Sequence, residues 1–189
     1  MSKVIGVIAE DSSDVDVIRI LLKKTSAKKF STTHFVGKGC GPLKKKIPGW
    51  CKAFKQKGVY AVLVVHDLDR NDLAQLQQKL TDMLPDKLFT KSTVVIPIEE
   101  LEAWLLSDEV AIKKALNLQS TPKSIHHPET IVSPKEHLGA LIKQNSKGGL
   151  KQYVNTVHNS LIAQNISIVK LAKCASFKSF SDFAKNAIG

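Results

Sequence analysis

The strongest constraint in this chain is a series of short apolar runs, each of which ends in acids. Val4 to Ala9 (VIGVIA) stops at Glu10, Val59 to His66 (VYAVLVVH) at Asp67-Leu68-Asp69, and Thr93 to Ile98 (TVVIPI) at Glu99-Glu100. A run with no polar alternation has no face to give to water, so it belongs in a sheet covered on both sides. Pro97 places the third run at a sheet edge or at a strand end. The segments between have helical spacing. Asp11-Ser12-Ser13-Asp14 offers a cap before Val15, Val17, Ile18, Leu21 and Leu22, and that helix should stop near Ser26. Leu43 to Lys57 is lysine-rich, with Ile47, Trp50, Ala53 and Phe54 as its apolar side and Pro48 as an entry or an interruption. Leu73 to Leu84 carries Leu76, Leu80 and Leu84 along one face, and Glu99 to Leu106 starts a helix that continues or restarts from Asp108 to Leu116. His34 to Gly37 predicts a weak extra strand, and Gly39-Cys40-Gly41-Pro42 a turn.

Strand and helix in alternation predict an α/β fold with a mostly parallel sheet flanked by helices, over residues 1–118. Residues 119–189 predict a helical C-terminal extension packed on that core rather than an independent domain. A proline-bearing loop at Ser120–Pro134 leads to helices at Pro134–Lys143, Leu150–Ala163 and Ile166–Ala172, with a last short one at Ser179–Ile188.

No window of 18 apolar residues occurs, so a membrane span is not expected. The first residues do not form a signal peptide, and a cytoplasmic protein is the expectation. Cys40, Cys51 and Cys174 are widely spaced and suggest neither a disulfide framework nor a zinc site. Charge is more informative. The formal net charge is +11, from 28 Lys and Arg against 17 Asp and Glu. Residues 17–66 contain no acid but carry Arg19 and eleven lysines, and residues 137–181 contain no acid and six lysines. Solvated lysine surface is the plain explanation. The segregation favours a polyanion instead, because long acid-free stretches make a positive field.

In a parallel sheet all strands deliver their C-terminal ends to one edge, where ligands bind. Glu10, the Asp67/Asp69 pair and Glu99-Glu100 with Glu102 would therefore converge. Asp67 and Asp69 point the same way for as long as the chain stays extended. Packed carboxylates call for a cation, and Mg²⁺ or Mn²⁺ suits oxygen donors. Such an ion can polarise a phosphodiester and generate a hydroxide nucleophile. Helix capping is the alternative, preferred for Asp11, Asp14 and Asp72; for Glu10, Asp67 and Asp69 the metal is preferred.

Glu10 after a first strand, followed by a helix and later by Asp67-x-Asp69, resembles the Toprim domain of primases, topoisomerases and the overcoming-lysogenisation-defect nucleases. With VVHDLDRND, IPIEELEAWLLSD and CASFKSF, the chain is similar over most of its length to small Toprim-like proteins linked to mobile elements and anti-phage defence. The resemblance implies a Toprim-like (Rossmann-like) sheet, Glu10 as general acid or base or as metal ligand, and Asp67 and Asp69 as metal ligands. Glu99 and Glu102, three apart on one expected helix face, are the additional acids, with Glu100 next. One departure stands out. Where that pattern has glycine after the glutamate, this chain has Asp11.

Arg70 either clamps a phosphate beside the aspartates or pairs with Asp69 or Asp72. Lys38, Lys44, Lys45, Lys46, Lys147 and Lys151 are the candidates for the nucleic-acid backbone. Gly37-Lys38-Gly39 matches no nucleotide fingerprint. By alternation His66 faces away from Asp67 and is structural, Trp104 is core, and Ser176 is no nucleophile because no base is paired with it. The leading expectation is a Mg²⁺- or Mn²⁺-dependent nuclease acting on DNA or RNA, controlled by a partner such as an ATPase or by self-association, and serving as an anti-phage effector. The alternative is a noncatalytic Toprim-like protein that binds nucleic acid or a partner.

Overall fold

A computed structural model describes residues 3–146 and 152–189. Four parallel strands, β1 (Lys3–Ala9), β2 (Phe30–Val36), β3 (Ala61–Val65) and β4 (Lys91–Val95), form one sheet in the order β2-β1-β3-β4. The helices that connect them are α1 (Ser12–Thr25), α2 (Cys40–Gln56) and α3 (Leu73–Asp82). A one-turn helix α4 (Glu102–Leu105) and α5 (Glu109–Leu116) follow β4, and α6 (Pro134–Asn145), α7 (Asn155–Asn165) and α8 (Phe177–Ile188) make a C-terminal helical extension. The architecture is a Rossmann-like α/β sheet with helices on both faces.

The apolar runs explain the two layers. Ile5, Val7 and Ala9 of β1, with Ala61, Leu63 and Val65 of β3, pack under α1, α5, α7 and α8. Their neighbours Ile8, Val62 and Val64 point to the other face, under Leu43, Ile47 and Phe54 of α2 and Leu76 and Leu80 of α3. Because both faces are covered, the inner strands β1 and β3 carry apolar residues on both. Residues of the α/β part and of the extension share one of these cores: Trp104 packs edge-on against Phe177 and Phe180 at 5.2 and 5.7 Å. α1 leaves β1 on one face, whereas α2 and α3 cover the other. The winding direction thus reverses between β1 and β3, and crevices at such reversals are where open α/β sheets bind ligands.

Several boundaries differ from expectation. β2 spans Phe30–Val36 rather than His34–Gly37; as an edge strand it is only half covered, which hides its pattern. The predicted turn at Gly39–Pro42 is instead the first turn of α2, which also runs through Pro48; the chain bends just before it, at Lys38 and Gly39, with φ of 60° and 103°. β4 ends at Val95, ahead of Pro97. Ile166–Ala172 is not an α-helix, only a 3-10 turn at Lys170–Lys173. No described helix is long and apolar enough to cross a membrane.

Candidate functional site

Glu10 leaves the end of β1 and Asp67 follows β3, so both stand where the winding reverses. Glu10 Oε1 accepts the backbone N–H of Asp67 at 3.2 Å. The same oxygen lies 3.1 Å from His66 Nδ1, which is also 2.6 Å from the Asp67 carbonyl oxygen. Alternation was expected to turn His66 away from Asp67; its ring instead meets Glu10, which leaves the neighbouring strand β1, while the Asp67 side chain goes to Leu101. His66 is fully buried, and burial lowers its pKa, which favours the neutral ring. With two acceptors around Nδ1, the hydrogen sits on Nδ1 and is shared between them. Nε2 is then a bare acceptor, without a partner among the described residues.

Asp67 and Asp69 do not point the same way. Asp67 turns inward and its Oδ1 accepts the Leu101 N–H at 3.0 Å, while Asp69 is exposed with φ of 46°. Leu68 N–H donates to the Pro97 carbonyl and Asp69 N–H to the Glu99 carbonyl, both at 3.1 Å. The loops after β3 and β4 therefore run on side by side beyond the sheet. Asp69, Arg70 and Glu99 all have positive φ, a conformation uncommon for residues with a side chain.

Glu99 is consequently not helical and shares no helix face with Glu102, because the helix begins three residues later than expected. Glu99 and Glu100 line a small cavity of about 280 Å³ with Asp69, Arg70 and Glu136. Glu100 Oε2 accepts the Lys135 N–H at 2.8 Å; burial raises its pKa and that bond opposes the rise. Arg70 is exposed and makes no ion pair among the described residues, with neither Asp69 nor Asp72. Asp72 instead caps α3 through the Gln75 N–H at 2.8 Å.

Glu102 goes inward. It is 4% exposed, and its Oε1 accepts from Asn159 Nδ2 at 3.0 Å and from the Tyr153 hydroxyl at 3.3 Å. The same hydroxyl also touches Asn159 Oδ1. Burial, then the Glu102 charge, pushes the Tyr153 phenol above its ordinary range. Asp11 and Asp14 form a capping box on α1: Asp11 Oδ1 takes the Ser13 and Asp14 N–H groups at 2.6 and 3.1 Å, and Asp14 Oδ2 takes the Asp11 N–H at 3.1 Å. Asn155 Nδ2 reaches Asp11 Oδ2 at 3.3 Å, which ties α7 to the same edge.

The acids feel one another. Burial raises the pKa of Asp67 well above the ordinary carboxylate value, and the charges of Asp14, Glu102, Glu10 and Asp69 add to the rise. Asp14 is raised too, by burial and then by Asp11, Glu102 and Glu10. Burial and Asp69 bring Glu10 to about 7, against the pull of the Asp67 N–H and of Lys44. Asp14, expected only as a cap, is thus also part of the acidic centre. Sequence reasoning named His66 as structural and missed Tyr153 and Asn159. The one readable signal was Asn155 and Asn159 at i, i+4, polar residues on one side of a helix whose buried set includes Asn159.

An all-oxygen set suits Mg²⁺ or Mn²⁺ by its chemistry. As arranged, though, Glu10 and Asp67 spend an oxygen each on a backbone amide, and Glu102 on Asn159 and Tyr153. Among the described residues no three His, Cys, Asp or Glu side chains form a group that could hold a metal ion.

Beside the acids stands Lys44, half-buried, close enough for its charge to lower the pKa of both Glu10 and His66. Lys38 is exposed and its N–H donates to the Glu10 carbonyl at 2.9 Å; Lys45 and Lys46 are exposed on α2. Lys147 and Lys151 lie outside the described residues.

These features define a parallel α/β protein with a carboxylate cluster at its switch point and a lysine-rich helix against it. Over residues 9–183 the chain matches a family described as a domain of unknown function (DUF4276), and it belongs to that family. No curated protein and no solved structure matches it.

Proposed function

We propose that this is a nucleic-acid-binding protein of Toprim-like descent, which takes the phosphate backbone along α2 and leads it to the carboxylate edge. One observation carries this reading: the acid-free flank of the molecule, β2 and α2, meets the acidic centre at Lys44. Two further features support it. The helices starting at that edge differ in how they begin: α1 and α3 are capped by Asp11 and Asp72, whereas α2 starts at Gly39 with no side chain on its first amides. Uncapped amides beside lysines favour an oxyanion. Lys38, Lys45 and Lys46 are exposed nearby and form no ion pair among the described residues.

In this reading the carboxylates are a hydrogen-bonded seam that joins β1, β3, α4 and α7, and binding does not depend on their charge. The test is affinity for labelled DNA and RNA as a function of salt. Neutralising several phosphates gives a steep fall of log K with log salt, about 0.7–0.9 per contact. A flat dependence would refute the reading.

Metal-dependent phosphodiester cleavage is the second reading, favoured by the mutual repulsion of Glu10, Asp67 and Asp69, which a divalent cation would relieve. Cleavage with Mg²⁺ or Mn²⁺, lost in Asp67→Asn and in chelator, would promote it over binding alone. An anti-phage role and an ATPase partner belong to this second reading.

A further inference from the structure

We propose that the outer side of α2 and the edge strand β2 bind single-stranded nucleic acid, with the stacked Trp50–Phe35 pair as the platform for a base. This rests on the nucleic-acid reading above and adds the form of the polymer. The two rings lie 5.2 Å apart and 5° from parallel, and both side chains are only half-buried. Phe54, fully buried, supports Phe35 from within at 4.8 Å. Lys46 Nζ sits 5.7 Å from the centre of the Trp50 ring, and Lys57 Nζ 5.6 Å from that of Phe35. Lysine, tryptophan, phenylalanine and lysine thus make a row along the helix and onto the strand.

Two aromatic rings held parallel at a rim, with ammonium groups over them, are the elements of a sequence-tolerant site for a single strand: a π-face for the base and cations for the flanking phosphates. A lysine over a half-buried ring is held by one weak contact, so Lys46 leaves Trp50 when a phosphate takes its charge and a base takes its place. Lys45, Lys46, Lys52 and Lys57 have no acid partner among the described residues. A duplex keeps its bases stacked inside and could use only the lysines.

The test uses the full chain and the two tryptophans it contains. Trp104 is fully buried, so a change in emission on binding reports Trp50. A short thymidylate strand and an abasic phosphodiester strand of equal length are titrated at low salt. Wild type is expected to show saturable quenching with the thymidylate strand and to bind it about tenfold more tightly than the abasic one, the size of one stacked base. Trp50→Ala should bind both strands alike while keeping the Trp104 emission of folded protein. Lys46→Gln, which leaves the rings in place, should weaken both strands equally. Equal affinity of wild type for the two strands, or an unchanged preference in Trp50→Ala, would overturn the platform and leave the nucleic-acid reading standing. Binding of neither strand, nor of a duplex, would overturn both.

Discussion

Replacing Glu10 with glutamine should stabilise the protein at neutral and alkaline pH. The side chain is 16% exposed, and its pKa rises from 4.5 to about 7 because burial and the Asp69 charge disfavour the ionised form. A carboxyl with a folded-state pKa above its unfolded value stabilises the fold fully below pH 4.5, and that contribution is lost as pH rises through about 7. At 1.36 kcal/mol for each tenfold change, the loss is on the order of 3 kcal/mol. A glutamine side chain never ionises, yet its amide oxygen can still accept the Asp67 N–H that Glu10 accepts. Urea denaturation of wild type and Glu10→Gln across pH 4.5 to 8 measures the difference. The stabilities should coincide at the acid end and separate by about 2–3 kcal/mol at the alkaline end, with the glutamine variant the more stable. A difference that does not change with pH, or a less stable variant at pH 8, would show that Glu10 is not held against its neighbours' charges.

Glu129 should matter to the fold although nothing marks it as functional. Its carboxylate accepts the N–H groups of Ala175 and Ser176 at 2.7 and 3.2 Å, and the Ser176 hydroxyl, which accepts the Trp104 indole N–H at 2.8 Å. Glu129→Ala should cost about 2–3 kcal/mol in chemical denaturation by orphaning those donors. Gly6→Ala would bring a Cβ within 2.8 Å of the Phe54 ring, and about 1–3 kcal/mol of destabilisation is expected by the same assay. Asp72→Ala removes the cap on α3 and should cost about 1 kcal/mol, with no effect on nucleic-acid binding.

Much of the fold was legible because β1 and β3 are covered on both faces and so appear as uninterrupted apolar runs. β2 was half missed for the opposite reason: it is an edge strand, and residues such as Ser31 and His34 are exposed or half-exposed. Glu10 and Asp67 were found from strand ends alone, since parallel strands put their C-termini together. The orientation of Asp69, Glu99 and Glu102 was not legible. It depends on positive-φ residues in two loops that run together, and no local pattern announces those. Tyr153 and Asn159 reach Glu102 across 51 and 57 residues of sequence, a pairing that only tertiary packing creates. The CASFKSF stretch packs through Phe177 and Phe180 against Trp104. The clamp of Glu129 on Ser176 explains its serine as well.

The most direct test of the central claim is nucleic-acid affinity, by fluorescence anisotropy, for wild type, Lys44→Gln/Lys45→Gln/Lys46→Gln, and Glu10→Gln/Asp67→Asn. Loss of three phosphate contacts should weaken binding by about tenfold or more at moderate salt, whereas neutralising the two acids should leave binding equal or tighter. Unchanged binding in the lysine variant, or loss of binding in the acid variant, would contradict the account.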